Sequence, residues 1–482
     1  MDLSDDDTRA AVVARLGALY AGRRVVLGPG ILAGFTPLVA RLRDLGCPVL
    51  VLSTGTGAGP LPGPDECTVV EVALPPTASM TEEVRVLDRV TRSLPADVVA
   101  AVEAFDPERR ALWRATPFVT SDEPVLGRPV LGGRPAAWLA LEDKMLADAI
   151  WDAAGVRRAS YLTCEVDAAA LEAASTALSG PDDLGVVWSG DARDGLNGGG
   201  NFVRWVGDEQ DRAAAYAFFA PRCDRVRVLP FLDGVPCSIH GVVLPTGTAV
   251  FRPVELAILR EPTTRSFVFG GLSTWWDPPA ADRDEMRTAA RRVGDHLAAV
   301  HGYRGAFGID GVLTVDGFRP TELNTRASAG ISTLAHVDPA LFMLLQDHLV
   351  AGLDTGLTVD DVESLLPLVD ARRSGRPSMV GQGVSLGTSG TLSYDVVLRD
   401  GLLERADDET TGTTLVAADT PVGFFATLDP CALLAPGDRL APLNVALAAH
   451  LDEVLDVDFG PLEAPPDLRT SVVPSRRGSL AP

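Results

Sequence analysis

Between Gly308 and Gly330 the chain reads GIDGVLTVDGFRPTELNTRASAG, and no other stretch constrains the fold as strongly. Apolar runs flank Val315-Asp316-Gly317, which predicts a β-hairpin with Gly317 in the left-handed position of a bulged three-residue turn. That register sets Asp310 directly opposite Glu322 on one face of a sheet. Asn324 shares the face because side chains alternate along a strand, and so does Arg326 if the strand continues. Two facing carboxylates repel, so a positive group is expected between them. Oxygen donors with no His or Cys nearby suit a hard cation, Mg²⁺ or Mn²⁺, completed by phosphate oxygens and water.

The rest of the 482-residue sequence gives this hairpin a large α/β context. RRVVLGPGILAGFTPLVARLRDLGCPVLVLSTG reads strand, glycine breaker, helix, strand, a parallel βαβ unit. Gly28, Gly30 and Gly34 do not make a dinucleotide fingerprint: the third glycine is displaced and no acid ends the second strand. LPADVVAAVEAF adds a further element. LEDKMLADAIWDAAGV predicts a helix ending at Gly155, with Lys144 in its first turn and Met145, Leu146, Ala149, Ile150 and Ala153 as its buried stripe. VVWSG precedes the glycine-rich DGLNGGGNF, and RVRVLPFLDGVPCSIHGVVL reads as two strands around Asp233-Gly234. DRDEMRTAARRVGDHLAAVHGY is amphipathic, with Met286, Ala290, Val293, Leu297 and Val300 on one face. The expected units are 1–135, a Rossmann-like domain, 136–360, and 361–482, a small C-terminal α/β domain. Residues 461–482 read as loosely held.

Charge and cysteine usage narrow the partners. The net charge of −23 argues against nucleic acid and anionic membranes, whose phosphates need neutralising. No run approaches ~18 apolar residues, so no membrane span is expected. The six cysteines show no CxxC pair and read as reduced thiols of a cytoplasmic protein. No GKS/GKT phosphate loop, HExxH, EF-hand loop or nucleophile elbow is present.

ELNTR resembles the E-x-N-x-R signature of the ATP-grasp superfamily, and Asp310 in GIDGVL stands where that family keeps its other metal-binding carboxylate. The order of pieces over 136–345 is similar too: a lysine-bearing helix, a glycine loop, a hinge strand, an amphipathic helix, then the hairpin. More narrowly, VVWSGDARDGLNGGG and VLPFLDGVPCSIHGVVL resemble the pheganomycin-type actinobacterial peptide ligases. The resemblance implies a Rossmann-like domain ahead of a central ATP-grasp fold. It implies a carboxylate–amine ligase that uses ATP and Mg²⁺, with Mn²⁺ as a substitute, and forms an amide through an acyl phosphate with release of ADP. A small carboxylate or amino-acid donor and an amine, amino-acid or peptide acceptor are then the partners, in specialised peptide or antibiotic biosynthesis, with a homodimer left open.

Residue by residue, the resemblance assigns Lys144 to the ATP phosphates and Gly198, Gly199 and Gly200 to a lid loop. It assigns Leu229, Phe231 and Leu232 to the adenine hinge, and Asp310, Glu322 and Asn324 to the metal. Arg252 is expected to meet the γ-phosphate or a substrate carboxylate, and Arg326 the acyl phosphate. Asp233 reads as the turn residue and His240 as a packed histidine. The family's second lysine is missing at Val187-Trp188-Ser189. Either Ser189 or a neighbouring Arg takes its place, or adenine packs differently. That departure favours an alternative, a nucleotide-binding regulatory or degenerate ATP-grasp module without ligase turnover. No biotin-carrier lysine signature is present.

Overall fold

The computed structural model describes residues 1–75, 77, 80–180, 184–193, 195, 200–387, 391–406, 412–420, 423–429, 431–455 and 457–469. Among these residues the strands form three sheets. The first is parallel, in the order 68–71, 49–55, 25–31, 112–114, 130–131. The predicted βαβ unit is its centre. Gly28-Pro29-Gly30 does not break the first strand but lies inside Val25–Ile31, at irregularities in its pairing with Val49–Gly55.

The second sheet is antiparallel and starts at the predicted hairpin, Gly305–Thr314 with Gly317–Asn324. Asp310 does face Glu322, but the reason differs from the expectation. Thr314 pairs with Gly317, so only Val315 and Asp316 form the turn. The register then shifts between Asp310 and Gly311, where Thr321 is the extra residue on the return strand. A bulge of this kind re-aims the chain. It returns Asp310 and Glu322 to one face, with Thr321 Oγ1 donating to Asp310 O at 3.2 Å.

RVRVLPFLDGVPCSIHGVVL does form two strands, Arg225–Pro230 and Val235–Leu244, but they belong to different sheets. Arg225–Pro230 joins a four-stranded antiparallel sheet with Val186–Gly190; Val235–Leu244 pairs with the hairpin. The segment between is therefore a hinge between two sheets. After residue 361, Gly375–Gln382 pairs with Ser266–Ser273 and so continues the large sheet rather than standing apart from it.

Helix Lys144–Ala153 is capped by the Asp143 carboxylate, which accepts from Met145 N. Its buried face is Lys144, Ala147, Asp148, Ile150 and Trp151; of the predicted stripe only Ile150 is fully buried, and Leu146, Ala149 and Ala153 are exposed. The helix thus buries two charged side chains, which apolar periodicity cannot anticipate. Ala280–His301 buries Met286, Ala290, Val293 and Leu297 as expected, whereas Val300 is exposed. All six cysteines are free. Residues 461–469, expected to be loose, are docked: Leu462 is buried and Arg469 pairs with Asp282 and donates to Val315 O at 2.7 Å. Residues 470–482 lie outside the described residues. No helix among the described residues is long and apolar enough to cross a membrane.

Candidate active site

The hairpin carries its polar face into the space between the two antiparallel sheets. Asp310 Oδ1 accepts from Ser238 Oγ at 2.6 Å, and Oδ2 accepts from Asn324 Nδ2 at 2.9 Å. Burial, reinforced by the opposing Glu322 charge, pushes the Asp310 carboxyl up to about 6. Glu322 Oε2 lies 2.9 Å from Lys144 Nζ. The positive group expected between the two carboxylates is therefore present on the Glu322 side. Lys144, expected at the ATP phosphates, is held against the hairpin with its side chain 4 % exposed.

Arg326 comes to the same cluster, held by Glu142. Burial opposes its charge, but Glu142, then Glu322 and Asp310, hold its pKa above the ordinary arginine value. Glu142 also binds Arg134, whose Nη1 donates to Thr325 O at 3.0 Å. Burial alone would raise the Glu142 carboxyl; the two arginines outweigh it and hold it below the usual glutamate range. Glu142 and Lys144 sit two residues apart, so one short segment offers a negative and a positive group to Arg326 and Glu322.

Ser189 is buried on Val186–Gly190, cross-strand from Arg227. Arg227 is the neighbouring arginine. Its Nη2 donates to Asp148 Oδ1 at 2.9 Å, and its Nη1 to Thr321 O at 2.8 Å, at the hairpin bulge. Asp148 lies one turn beyond Lys144, so successive turns of one helix grip Thr321 and Glu322, directly or through Arg227.

Other predicted residues fall elsewhere. Arg252 does not reach the hairpin carboxylates: its Nη2 and Nη1 are 2.5 Å from Asp277 Oδ1 and Asp370 Oδ1 respectively. Arg252 is buried, while the two carboxylates that pair with it stay partly exposed. Phe231 N donates to Gly185 O at 3.0 Å, so this amide is used within the small sheet. The Phe231 ring packs on Trp205 and Phe267 (centroids 4.6 and 6.2 Å), with Arg260 over it. Leu229 is buried and pairs with Val187; Leu232 is half-buried at the hinge. Asp233 lies not in a hairpin turn but in the segment linking the two sheets, where it accepts from Arg260. Gly198 and Gly199 lie outside the described residues; Gly200 has φ +75°, a conformation that favours glycine.

His240 is packed, as expected, but beside the site. Its Nε2 is 3.3 Å from Ser238 Oγ and 3.1 Å from Ser328 Oγ. The ring fills a slot left by Gly308 and Gly330, where any Cβ would collide with it. Burial lowers its pKa to about 3, so it is neutral. Glu142, Arg134, Arg227 and Ser238 were not singled out by sequence. The acid two residues before Lys144 was the one local signal available.

The donor set fits a cation shared with phosphates rather than one enclosed by protein. Among the described residues no three His, Cys, Asp or Glu side chains form a metal cluster. Asp310 and Glu322 supply two carboxylates, and Asn324, having given its Nδ2 to Asp310, retains an amide oxygen.

No protein-family model matches the sequence, nor does any curated protein. Solved structures do match. Phosphoribosylamine–glycine ligase from Thermotoga maritima is 15 % identical, with a TM-score of 0.50 over 85 % of this chain and 93 % of that one. Rhizobium etli pyruvate carboxylase T882A is 13 % identical, with a TM-score of 0.53 over 89 % of this chain and 37 % of that one. Carboxyaminoimidazole ribonucleotide synthase from Aspergillus clavatus, complexed with ATP, is 13 % identical, with a TM-score of 0.49 over 90 % and 98 %. A Rossmann-like sheet, a hinged pair of antiparallel sheets and a carboxylate hairpin at their junction, in a chain that superposes on the Thermotoga maritima ligase and the Rhizobium etli carboxylase over most of its length, give this protein the fold of the ATP-grasp ligases.

Proposed function

We propose that the protein is an ATP- and Mg²⁺-dependent, ADP-forming carboxylate–amine ligase that joins a small carboxylate or amino-acid donor to an amine or peptide acceptor. One observation carries the reading. Two facing carboxylates, Asp310 and Glu322, share a buried cluster with Lys144 and Arg326 where the two sheets meet. The Thermotoga maritima neighbour is by its name a ligase of an amine and glycine, which supports the same reaction class.

A donor carboxylate oxygen attacks the γ-phosphorus and ADP leaves. The acceptor amine then attacks the acyl carbon, loses a proton, and phosphate leaves with the electrons of the C–O bond. Asp310, Glu322 and the Asn324 amide oxygen would hold Mg²⁺, which when bound offsets phosphate charge. Lys144, fixed by Glu322, is the fixed charge for the nucleotide phosphates. Arg326 offers a planar two-pronged donor to the donor carboxylate and to the oxyanion that follows. In this reading Arg252 supports the fold through Asp277 and Asp370, and Arg227 supplies the buried positive charge on the strand beside Ser189.

The experiment is an ADP-release screen of amino acids and short peptides as donor and acceptor. Amine-dependent ADP release is expected. Ser189, in place of a lysine, is the feature that favours a nucleotide-binding module without turnover; tight ATP binding with no amine-dependent ADP release across the screen would establish that alternative. Synthesis of a specialised peptide metabolite is the finer reading, tested by whether peptides outperform simple amines as acceptors.

A further inference from the structure

We infer that Glu142 is a positioning residue: anchored by Arg134, it fixes the guanidinium of Arg326 over the ring of Phe118 and so ties the edge of the N-terminal parallel sheet to the reaction site. The inference rests on the reading of Arg326 as the group that meets the acyl carbon.

Among the described residues the Glu142 carboxylate pairs with two arginines, one on each oxygen: Arg134 on Oε1 and Arg326 on Oε2. Its side chain is 3 % exposed. A carboxylate so placed is directed by charge-assisted bonds from both sides and has no solvent to turn towards. Arg326 is in turn bounded on its other side by Phe118, with Cζ 5.2 Å from the ring centroid. An acid on an edge and a π-face below leave a guanidinium little freedom.

The anchors have a common origin. Phe118 follows the strand Leu112–Arg114, and Arg134 follows Val130–Leu131, both past the C-terminal ends of neighbouring parallel strands. Arg134 is itself 2 % exposed, and among the described residues its Nε and Nη2 find no hydrogen-bond partner. Buried donors left unpaired cost stability and call for an explanation. Here the guanidinium spends its Nη1 on Glu142 and on Thr325, the residue before Arg326. Arg134 therefore fixes both the backbone that carries Arg326 and the carboxylate that aims it.

The test compares Glu142→Gln with Glu142→Asp. Gln keeps the volume and loses the charge; Asp keeps the charge and loses a methylene. Glu142→Gln should lower kcat about 10–100-fold, as loss of an orienting partner does, with the KM for ATP unchanged. Glu142→Asp should recover part of that loss, although it fills the space less well. A second readout needs no turnover. Phenylglyoxal modification of Arg326, mapped by peptide mass, should be faster in Glu142→Gln than in wild type. Phe118→Leu, which removes no charge and spares the fold if Glu142→Gln does not, should move kcat and Arg326 reactivity in the same directions. Unchanged kcat in folded Glu142→Gln, or unchanged Arg326 reactivity in both variants, would overturn the inference. Faster modification in a protein whose wild type makes no amide would sink the ligase reading and leave the clamp standing.

Discussion

Lys144 Nζ lies 2.9 Å from Glu322 Oε2, across a gap of sequence that spans most of the central region. A lysine expected to wait for phosphate is instead paired with a carboxylate expected to wait for metal. Both are largely buried, so neither charge is left uncompensated. Nucleotide and cation would enter as a set, the cation taking over Glu322 as the phosphates take over Lys144. On the proposed function the pair would link the two binding events.

That linkage is testable through the hairpin carboxylates. Asp310→Asn and Glu322→Gln should each abolish amide formation at ordinary Mg²⁺ concentrations. They should differ in stability. Asp310→Asn removes a charge that burial and Glu322 already disfavour, so its thermal midpoint should hold or rise. Glu322→Gln removes a charge partner from buried Lys144 and should lower the midpoint. Melting curves without metal, set beside ADP release, check both; wild-type activity in both variants would reject the metal assignment.

The products report on the intermediate. ADP and phosphate should form in equal amounts with the amide, and hydroxylamine in place of the acceptor should yield the hydroxamate of the donor acid. Stoichiometric AMP and pyrophosphate would exclude an acyl phosphate.

Arg227 should matter to stability before chemistry. It and Asp148 are each about 1 % exposed and pair with one another. Removing one partner of such a buried pair typically costs about 3–5 kcal/mol. Arg227→Gln should lose stability of that order in denaturant unfolding. Replacing both, as Asp148→Leu with Arg227→Met, should recover much of it. A loss under ~1 kcal/mol in the single variant would mean that the pair is not buried as described.

The hairpin was legible because its chemistry is local: a period of two fixes which side chains share a face, and a turn fixes which oppose. Even so, the correct pairing of Asp310 with Glu322 arises from a bulge at Thr321 that no turn rule requires. The charged partners were not legible. Glu142 meets Arg326 across 184 residues, and Arg227 meets Thr321 across 94. Nothing in local periodicity encodes such pairs, and a buried Lys144 or Asp148 reads as a solvated face of an amphipathic helix. The partners of Arg252 were not legible either: Asp277 and Asp370 lie on segments that no pattern brings together.

His240 predicts an acid sensitivity. Its pKa falls from an ordinary value near 6.5 to about 3 because the ring is buried. The unfolded chain binds the proton more readily, so this contribution to stability is full above about pH 6.5 and is lost as pH falls toward about 3. Asp310, raised to about 6, works in the opposite direction over part of that range. The quantity to measure is therefore the difference between wild type and His240→Gln. The wild type should lose stability more steeply on acidification; parallel pH profiles would show that His240 is not buried neutral.

Arg326 and Lys144 should separate chemistry from binding. Negative charge develops on the acyl oxygens only as the reaction proceeds, so a guanidinium directed there favours the transition state over bound ATP. Removing one such donor typically lowers kcat by about 10²–10³. Arg326→Ala should show that loss with ATP affinity changed by no more than a few-fold. Arg326→Lys should not restore it, because an ammonium lacks the two-pronged geometry that the acyl group requires. Lys144→Ala should instead weaken ATP binding, since the phosphates are present in ground and transition states alike. It also frees Glu322 for the cation, so part of the lost affinity should return as Mg²⁺ is raised, whereas Arg326→Ala should be indifferent to Mg²⁺. Steady-state kinetics at several Mg²⁺ concentrations, with nucleotide titration on both variants, decide the matter. If Arg326→Ala keeps a near-normal kcat and only weakens ATP, the hairpin is a nucleotide clamp and the chemistry lies elsewhere.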